Sequence, residues 1–356
     1  MTIAAEGTTP AGQTGATLAA TATISLVIVA YDSEPILLEC LESLARQDVP
    51  SLEVVVVNNG SDAPDLASAP LERLKVLSPG RNLGFPAGCN LGAAAATGDI
   101  LVFLNPDTVV AEGALAALAA TLEDPSIGIA QARLRLLREP ELLNTSGNVL
   151  HISGLAWVGD HRERANDATE LRDVAFPSGA AIAIRADFFR ALDGFREELF
   201  LYQEDVDLGW RVRQAGLRVV VQPAADVYHD YSTQMTRQKL YYIERNRLAV
   251  LFCNCSARLL LVLAPILTVA ELGLALVAWR QGWLGEKTRG WGWCLRNART
   301  LVRLRRETQR ARRVPDRDLV DLLEVPLDPR VIAAPRVVAL ANPILRAYWS
   351  LVRRVL

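Results

Sequence analysis

The chain has 356 residues, of which 51% are hydrophobic, and its 38 Lys and Arg nearly balance 40 Asp and Glu for a formal net charge of −2. That is enough apolar material for one large α/β domain with an appendage, or for two domains. Five scattered cysteines, Cys40, Cys89, Cys253, Cys255 and Cys294, exclude a disulfide framework, and Cys253-Asn-Cys255 is too close and too isolated to be half of a zinc site.

Residues 1–22 are rich in Ala, Thr and Gly and lack a basic segment before an apolar core. They read as a disordered tail and not as a signal peptide, which leaves the following domain on the cytosolic side. From Ile24 the chain alternates strand and helix. Ile24 to Ala30 is a buried strand by length and β-branching, and Pro35 opens a helix through about Arg46 with apolar Leu37, Leu38, Leu41 and Leu44. Val54 to Val57 is a second strand, Lys75 to Leu77 a weaker third, Pro86 to Ala96 a helix of small residues, and Ile100 to Leu104 a further strand. This rhythm predicts an α/β fold with a mostly parallel, doubly wound sheet. Such sheets bind ligands beyond the carboxyl ends of their strands. Three polar clusters fall there: Tyr31-Asp32-Ser33, Asn58-Asn-Gly-Ser-Asp62 and Asn105-Pro-Asp107. Each alone is an ordinary turn signal; three on one edge suggest a site.

Asp107 has the chemistry to bind a divalent ion that also holds a diphosphate, and Mg²⁺ or Mn²⁺ suits a site that shares its ligands with substrate and water. His229 is the second candidate ligand, placed after a strand Leu217 to Val221 and a loop. Between these lies Phe200-Leu-Tyr-Gln-Glu-Asp-Val-Asp, where Glu204, Asp205 and Asp207 open a helix whose apolar face carries Leu208, Val212 and Ala215. Acids in a first helical turn are favoured by the helix dipole. Because Glu204 and Asp205 follow an apolar run, they are also placed to act as proton acceptors. Gly80-Arg-Asn-Leu-Gly-Phe-Pro-Ala-Gly allows close approach to a ligand, with Arg81 available to a phosphate or a base edge. There is no Gly-x-Gly-x-x-Gly after the first strand, no Walker lysine and no Gly-x-Ser-x-Gly elbow, so a dehydrogenase, a P-loop NTPase and an α/β-hydrolase are disfavoured.

Taken together and in order, Ser25-Leu-Val-Ile-Val-Ala-Tyr, Val57-Asn-Asn-Gly-Ser-Asp62, Asn82-Leu-Gly-Phe, Gly98-Asp-Ile-Leu-Val-Phe-Leu-Asn-Pro-Asp-Thr108, Pro177-Ser-Gly-Ala, Gly194-Phe, Tyr202-Gln-Glu-Asp-Val-Asp and His229 resemble the bacterial family 2 glycosyltransferases of GT-A fold, in their rhamnosyltransferase-like branch. The resemblance covers about Ile24 to Arg247. It implies an inverting transferase that uses a nucleotide-diphospho-sugar. It implies that Ala30, Tyr31 and Asp32 line the nucleotide base pocket, that Asp62 contacts base or ribose, and that Asn82 and Arg81 meet the same nucleotide. Asp107 matches the second acid of the family's metal-binding Asp-x-Asp, with Asn105 in place of the first acid on the donor side, and His229 matches a further metal ligand. Asp205 matches the general base, Glu204 its neighbour at the acceptor, and Gly179 and Ala180 border the acceptor pocket. The Gln-x-x-Arg-Trp signature of processive synthases is replaced by Tyr241-Tyr-Ile-Glu-Arg-Asn-Arg247, which favours addition of one or a few sugars. The branch makes dTDP-rhamnose the first donor to consider, and a lipid-linked or glycan acceptor in cell-surface polysaccharide assembly the first acceptor. A non-catalytic sugar-nucleotide-binding scaffold and a nucleotidyltransferase are the alternatives.

These readings place a glycosyltransferase domain at residues 23–250 and a helical, membrane-associating region at 251–356. In the latter, Leu259 to Trp279 is apolar and long enough for one bilayer crossing, but Pro265 and Glu271 interrupt it. Its flanks, Arg237, Lys239, Arg245 and Arg247 before and Lys287, Arg289, Arg296 and Arg299 after, are both basic, which a single crossing does not satisfy. An in-plane or re-entrant helix, a span and a buried helix pair all remain open. Trp279, Trp283, Trp291 and Trp293 fit an interfacial belt, and Ile344 to Val355 adds a second amphipathic stretch. The tryptophans and the adjoining apolar run favour the cytoplasmic face of a membrane over nucleic acid as the neighbour of the basic segment.

Overall fold

The computed structural model describes residues 22–33, 36–61, 66, 68–330 and 335–356. The tail expected at 1–22 (save its last residue), the helix opening at Pro35 and the donor contact expected of Asp62 lie outside the described residues. The elements begin with β1 (Ile24–Ala30), α1 (Ile36–Ala45), β2 (Glu53–Asn58), β3 (Leu74–Leu77), α2 (Phe85–Ala95), β4 (Ile100–Leu104), β5 (Thr108–Val110) and α3 (Ala114–Thr121). They continue with β6 (Ile127–Leu136), β7 (Leu143–Thr145), β8 (Asn148–Leu150), β9 (Ala156–Val158), β10 (Arg172–Asp173), β11 (Ala181–Arg185), α4 (Ala186–Ala191), α5 (Glu204–Gln214) and β12 (Arg218–His229). Helices α6 (Arg237–Asn254), α7 (Ala257–Arg280), α8 (Leu284–Arg296), α9 (Ala298–Ala311), α10 (Asp316–Val320) and α11 (Pro335–Val355) complete the chain.

Ten strands form one sheet with the central order β10-β12-β6-β11-β4-β1-β2-β3. Strands β3, β2, β1 and β4 run parallel, and β11 is antiparallel to both β4 and β6. The period-two alternation of β1, β2 and β4 divides their side chains between two cores. Leu26, Ile28, Val54, Val56 and Val102 pack with α1 and α3 on one face. Val27, Val29, Val55, Val57, Leu101 and Phe103 pack with α2, α4 and α5 on the other. Every residue of β1 and β4 is therefore buried, as a sheet covered on both faces requires.

A third core joins this unit to the helices after it. Leu150, Phe176, Val206 and Trp210 pack with Leu259, Leu263, Leu301, Leu304, Leu319, Trp349 and Val352. Below it lies a buried charge network. Glu244 accepts from Arg247 at 3.0 Å and from Lys287 at 2.7 Å. Glu271, midway along α7, pairs with the same Arg247 and lies 2.8 Å from Lys287, and it accepts a 2.6 Å hydrogen bond from the Trp291 indole. Helix α7 is thus fastened at its middle to α6 and α8, while Leu261, Val269, Leu272, Leu276 and Trp279 on its outer side are exposed.

This packing corrects several sequence expectations. Arg245, Arg247 and Lys287 are buried, so they are internal ligands of the fold and not flanking surface charges. Of the four tryptophans expected in a belt, Trp279 is exposed; Trp283 is buried, Trp291 donates to Glu271, and Trp293 lies under Arg245, whose guanidinium is 4.1 Å from its ring centroid. A buried helix pair does not fit α7, since most of its apolar surface faces outward. Four of the five cysteines are buried and all five are unpaired.

Replacing Glu271 by leucine leaves two buried cations to share one carboxylate. Removing one member of a buried ion network costs about 3 kcal/mol, and urea unfolding of the Glu271→Leu protein is expected to show a loss of that size. An unchanged midpoint means that α7 is not fastened as described.

Candidate active site

The first corner of the site is made by strand register. Chain leaving β4 turns through Asn105 and Pro106, and β5 then pairs antiparallel with the end of β12, opposing Thr108 to His229. The Asp230 amide donates to the Asp107 carbonyl at 3.0 Å. This places His229 Nε2 3.3 Å from Asp107 Oδ1. His229 ends the long strand β12, which continues past Val221 through an irregularity between Gln222 and Asp226; it does not follow a separate loop, as the sequence suggested. Asn144 on β7 is buried beside it, and its Oδ1 accepts from His229 Nδ1 at 2.9 Å. An amide oxygen can only accept, so Nδ1 carries the proton of that bond and Nε2 is left facing Asp107, the usual outer-shell arrangement of a ligand histidine.

Asp107 Oδ1 is buried and receives no hydrogen bond. A carboxylate oxygen facing an imidazole lone pair at this distance is unfavourable unless a cation or a proton lies between them. The spacing is close to the adjacent-ligand edge, about 3 Å, of an octahedral ion with bonds of about 2.1 Å. Among the described residues no group of three or more His, Cys, Asp and Glu gathers here or elsewhere as a metal site. One carboxylate and one imidazole fit a divalent ion that takes its other ligands from a diphosphate and water.

The second corner is the start of α5. Phe200, Tyr202 and Gln203 all adopt positive φ, at 64°, 64° and 70°, an arrangement costly for bulky residues. It is held by α6. The Asn246 side-chain amide donates to the carbonyls of Leu199, Leu201 and Tyr202 at 2.8, 2.8 and 2.7 Å. Arg245 donates to the carbonyls of Glu198 and Leu199. The three acids that follow have three different surroundings. Asp207 is fully buried between Arg196 at 3.0 Å and Arg211 at 2.8 Å and accepts from Asn254. Burial would raise its pKa, but the two guanidinium groups more than offset this and hold it low; Asp207 is a structural anchor. Glu204 is buried and its Oε2 has no partner. Burial, then the neighbouring Asp205 charge, pushes its pKa well up. Asp205 keeps part of its surface open to solvent, and burial of its surroundings raises it also, against hydrogen bonds from the Val206 amide at 2.8 Å and the Gly179 amide at 3.4 Å. An accessible carboxylate with a raised pKa is equipped to take a proton.

The corners meet through β11. The Asn105 amide donates to the Ala180 carbonyl at 2.9 Å, and Gly179, one residue earlier, donates to Asp205. Gly179 and Ala180 therefore lie between the Asp107 turn and Asp205.

The remaining candidates form an edge of loops. Tyr31 is 56% exposed at the end of β1, and Asp32 adopts a φ of 47°. Gly60 packs closely on the first loop: a Cβ there would come within 2.8 Å of Asp32 Oδ1 and 3.3 Å of the Asp32 backbone nitrogen. Ala30 accepts from the Asn59 amide at 2.7 Å. The buried Asn59 side chain donates to the Gly84 carbonyl at 2.9 Å, joining the second loop to the third. There Arg81 and Asn82 are exposed, and Asn82 Oδ1 accepts from Gly84. Gly84 has a φ of +82°, and a Cβ on it would sit 2.4 Å from the Phe200 carbonyl oxygen. The Phe85 amide donates to that same oxygen at 2.8 Å, so the third loop is fastened to the segment that carries the acids.

Sequence reading did not single out Asn59, Asn144, Asn246, His161 or Tyr231. His161 and Tyr231 rings pack 5.5 Å apart, and Tyr231 lies 5.7 Å from His229. Asn246 carried one signal, a polar residue between two arginines just before the apolar run Leu248 to Cys253; Asn144 and His161 carried none, since they approach from positions 85 and 68 residues upstream of His229.

The match to known proteins agrees with this geometry. Residues 21–249 match the family model described as glycosyltransferase like family 2. The chain belongs to that family. It is 32% identical over 306 residues to a pre-mycofactocin glycosyltransferase of Mycobacterium tuberculosis, an alignment that covers 84% of this chain and 60% of the relative, so the chain spans less than two thirds of that relative's length. It is 27% identical over 237 residues to the N-acetylglucosaminyl-diphospho-decaprenol L-rhamnosyltransferase of the same organism, covering 58% of this chain and 75% of the relative. Among solved structures, that of GalNAc-T7 with UDP, GalNAc and Mn²⁺ superposes with a TM-score of 0.53 at 17% identity, over 65% of this chain and 48% of the other. The fold shared with this family is the GT-A fold.

The paired positions of Asp107 and His229 generate a test. Isothermal titration of a nucleoside diphosphate is expected to show binding that Mn²⁺ strengthens at least ten-fold. Asp107→Ala and His229→Ala are each expected to remove most of that gain, and the double variant to lose little more, because both side chains act on one ion. Equal binding with Mn²⁺ and with EDTA overturns the metal assignment.

Proposed function

We propose that this protein transfers a sugar, with inversion, from a nucleotide-diphospho-sugar to a hydroxyl of a lipid-linked saccharide at a cytoplasmic membrane face. The observation that carries this reading is the placing of an accessible carboxylate of raised pKa, Asp205, next to Gly179 and Ala180, which lead directly to the Asp107–His229 corner. Asp205 accepts the proton of the acceptor hydroxyl. The hydroxyl oxygen, not the carboxylate, forms a bond to the anomeric carbon as the bond from that carbon to the diphosphate oxygen breaks, and the nucleoside diphosphate leaves with the electron pair. Asp107 and His229 would hold a divalent cation, Mg²⁺ or Mn²⁺, which supplies positive charge to the leaving diphosphate. Tyr31 offers an exposed ring at the nucleotide edge, Asp32 and Asn82 offer polar groups to base and ribose, and Arg81 offers a charge to phosphate. The likeness to a relative named as an L-rhamnosyltransferase supports dTDP-rhamnose as the first donor to test.

A purely binding role is disfavoured by Glu204 and Asp205. Holding a buried carboxyl beside a half-buried one without a cation destabilises the fold, which is understandable where one of them has a proton to accept. Asp205→Asn is expected to lower turnover about 10²-fold, the scale of a lost general base, with nucleotide affinity near that of the unchanged protein. The base must be ionised, so turnover falls as pH falls through its pKa. Because that pKa is raised, the acid limb of the kcat profile is expected above the ordinary aspartate range of about 3.9. Full turnover by the Asn variant, or a limb at pH 4 or below, sinks the assignment.

The helical region 251–356 supports attachment to the membrane surface. Leu261, Leu272, Leu276 and Trp279 on α7 and Val337, Leu340, Ile344 and Leu351 on α11 are exposed apolar residues. The two helices are joined, since the Tyr348 hydroxyl donates to the Val262 carbonyl and Arg258 to that of Val355. With Glu271 fastened inward, α7 lies along the surface with its outer side in the headgroup boundary, which reconciles its basic ends. Full-length protein is expected to float with phosphatidylglycerol vesicles at low salt. Sedimentation away from the vesicles overturns the attachment and leaves the transfer reading untouched.

A further inference from the structure

Tyr231 and His161 lie beside the Asp107–His229 corner, and no step above uses them. Asn144 joins them to it. Its side-chain oxygen accepts from His229 Nδ1, and its backbone carbonyl accepts from His161 Nδ1 at 3.1 Å. The two imidazoles bracket Tyr231, with ring centroids 5.7 Å and 5.5 Å from the phenol ring. Among the described residues, three polar groups of this cluster make no hydrogen bond: the Tyr231 hydroxyl, His161 Nε2 and Asn144 Nδ2, the last on a side chain only 1% exposed. Buried polar groups are normally hydrogen-bonded, and an unmet one costs stability. A carboxamide donor, an imidazole nitrogen that can accept and a phenol that can do either suit a ligand rich in hydroxyls.

The order of the sheet gives this cluster a place along the donor. The loops after β1 and β3 carry Tyr31, Asp32, Arg81 and Asn82, and Asp107 follows β4. Beyond β4 the order runs through β11 and β6 to β12, with β7 paired to β6. Asn144 is on β7, and His229 ends β12. A nucleotide-diphospho-sugar with its base on the first loops and its diphosphate at the Asp107–His229 corner therefore sends its sugar toward β6 and β12. The acid segment lies on the same side: the Tyr202 hydroxyl is raised first by burial, then by the Glu204 charge and then by Tyr231. The cations beside the cluster are already taken. Arg138 donates to both oxygens of Asp230 at 3.0 Å, and Arg162 to both oxygens of Glu139 at 2.7 and 2.8 Å. A sugar carboxylate would find no guanidinium from either of them to balance it.

We propose that Tyr231, His161 and Asn144 read the transferred sugar through its hydroxyls, and that this sugar bears no carboxylate. Specificity for the sugar then comes from residues 144–161 and from the chain just after β12, while the loops after β1 and β3 meet the nucleotide. This rests on the transfer reading above and adds to it where, and by what chemistry, the sugar is chosen.

The test is a titration with Mn²⁺ at about pH 8, where an ordinary imidazole is neutral. Full-length protein is titrated with dTDP, UDP and GDP, and the series bound most tightly is continued with its rhamnose, glucose and glucuronate derivatives. At least one of the two neutral derivatives is expected to bind about ten-fold more tightly than the glucuronate, because a site that hydrogen-bonds hydroxyls rejects a group it cannot satisfy. The Tyr231→Phe, His161→Leu double variant is expected to bind that neutral derivative about ten-fold more weakly, the scale of one or two lost hydrogen bonds. Its affinity for the free nucleoside diphosphate is expected to stay close to that of the unchanged protein, which also shows that it is folded. Equal affinity for neutral and glucuronate derivatives, or a double variant that keeps its affinity for the neutral one, overturns the proposal. A double variant that loses the free nucleoside diphosphate as well assigns Tyr231 and His161 to the support of His229, and that also overturns it. Failure of the unchanged protein to bind any nucleoside diphosphate is a different result, and it defeats the transfer reading itself.

Discussion

The carboxamide of Asn246 meets three backbone carbonyls of one short segment, and the site depends on that. Residues 199–203 must turn sharply enough for Glu204 and Asp205 to start a helix at the mouth of the sheet. They do so with three bulky or polar residues at positive φ, which local preference opposes. The bonds from Asn246 and Arg245 offset that cost from outside the segment. The donors sit on α6, and α6 in turn is set by its buried charges to α7 and α8. The region after residue 250 therefore bears on the chemistry although it supplies none of the reacting groups.

The strand-helix alternation was legible because it follows from short-range physics. Short, β-branched runs such as Val54 to Val57 read as strands buried on both faces by their length and branching, and β2 is buried throughout. Asp107 and Asp205 stand out in the sequence because each falls at a place where chain order suggests a ligand: after a central strand and at a helix start. The partners of these residues were not legible. Asn144 reaches His229 from 85 residues away, and nothing in the residues around Asn144 distinguishes it from a turn. The charge pattern of the C-terminal third misled for a related reason. Arg245, Arg247 and Lys287 look like surface charge in the sequence, but tertiary contacts with Glu244, Glu271 and backbone carbonyls draw them inside.

The three acids at the start of α5 show how little spacing says about role. They fall within four consecutive positions, yet Asp207 is held between two guanidinium groups, Glu204 is enclosed without a partner on Oε2, and Asp205 keeps a path to solvent. Helix geometry alone points adjacent side chains in directions about 100° apart, so consecutive residues sample unrelated surroundings. What separates the buried anchor Asp207 from the accessible carboxylate of Asp205 is the set of charges met in each direction.

The contact of Gly84 with Phe200 also bears on how such proteins can diversify. A glycine at 84 and a carbonyl at 200 share one van der Waals boundary, with the Phe85 amide bonded across it. Chimeras that exchange the loop around residues 80–85 of one relative for that of another, while keeping the segment around residue 200, must preserve that boundary. The two halves of the site are therefore not interchangeable modules. A change that reshapes residues 80–85 reshapes the segment around residue 200 with it, so the two segments vary as a linked pair.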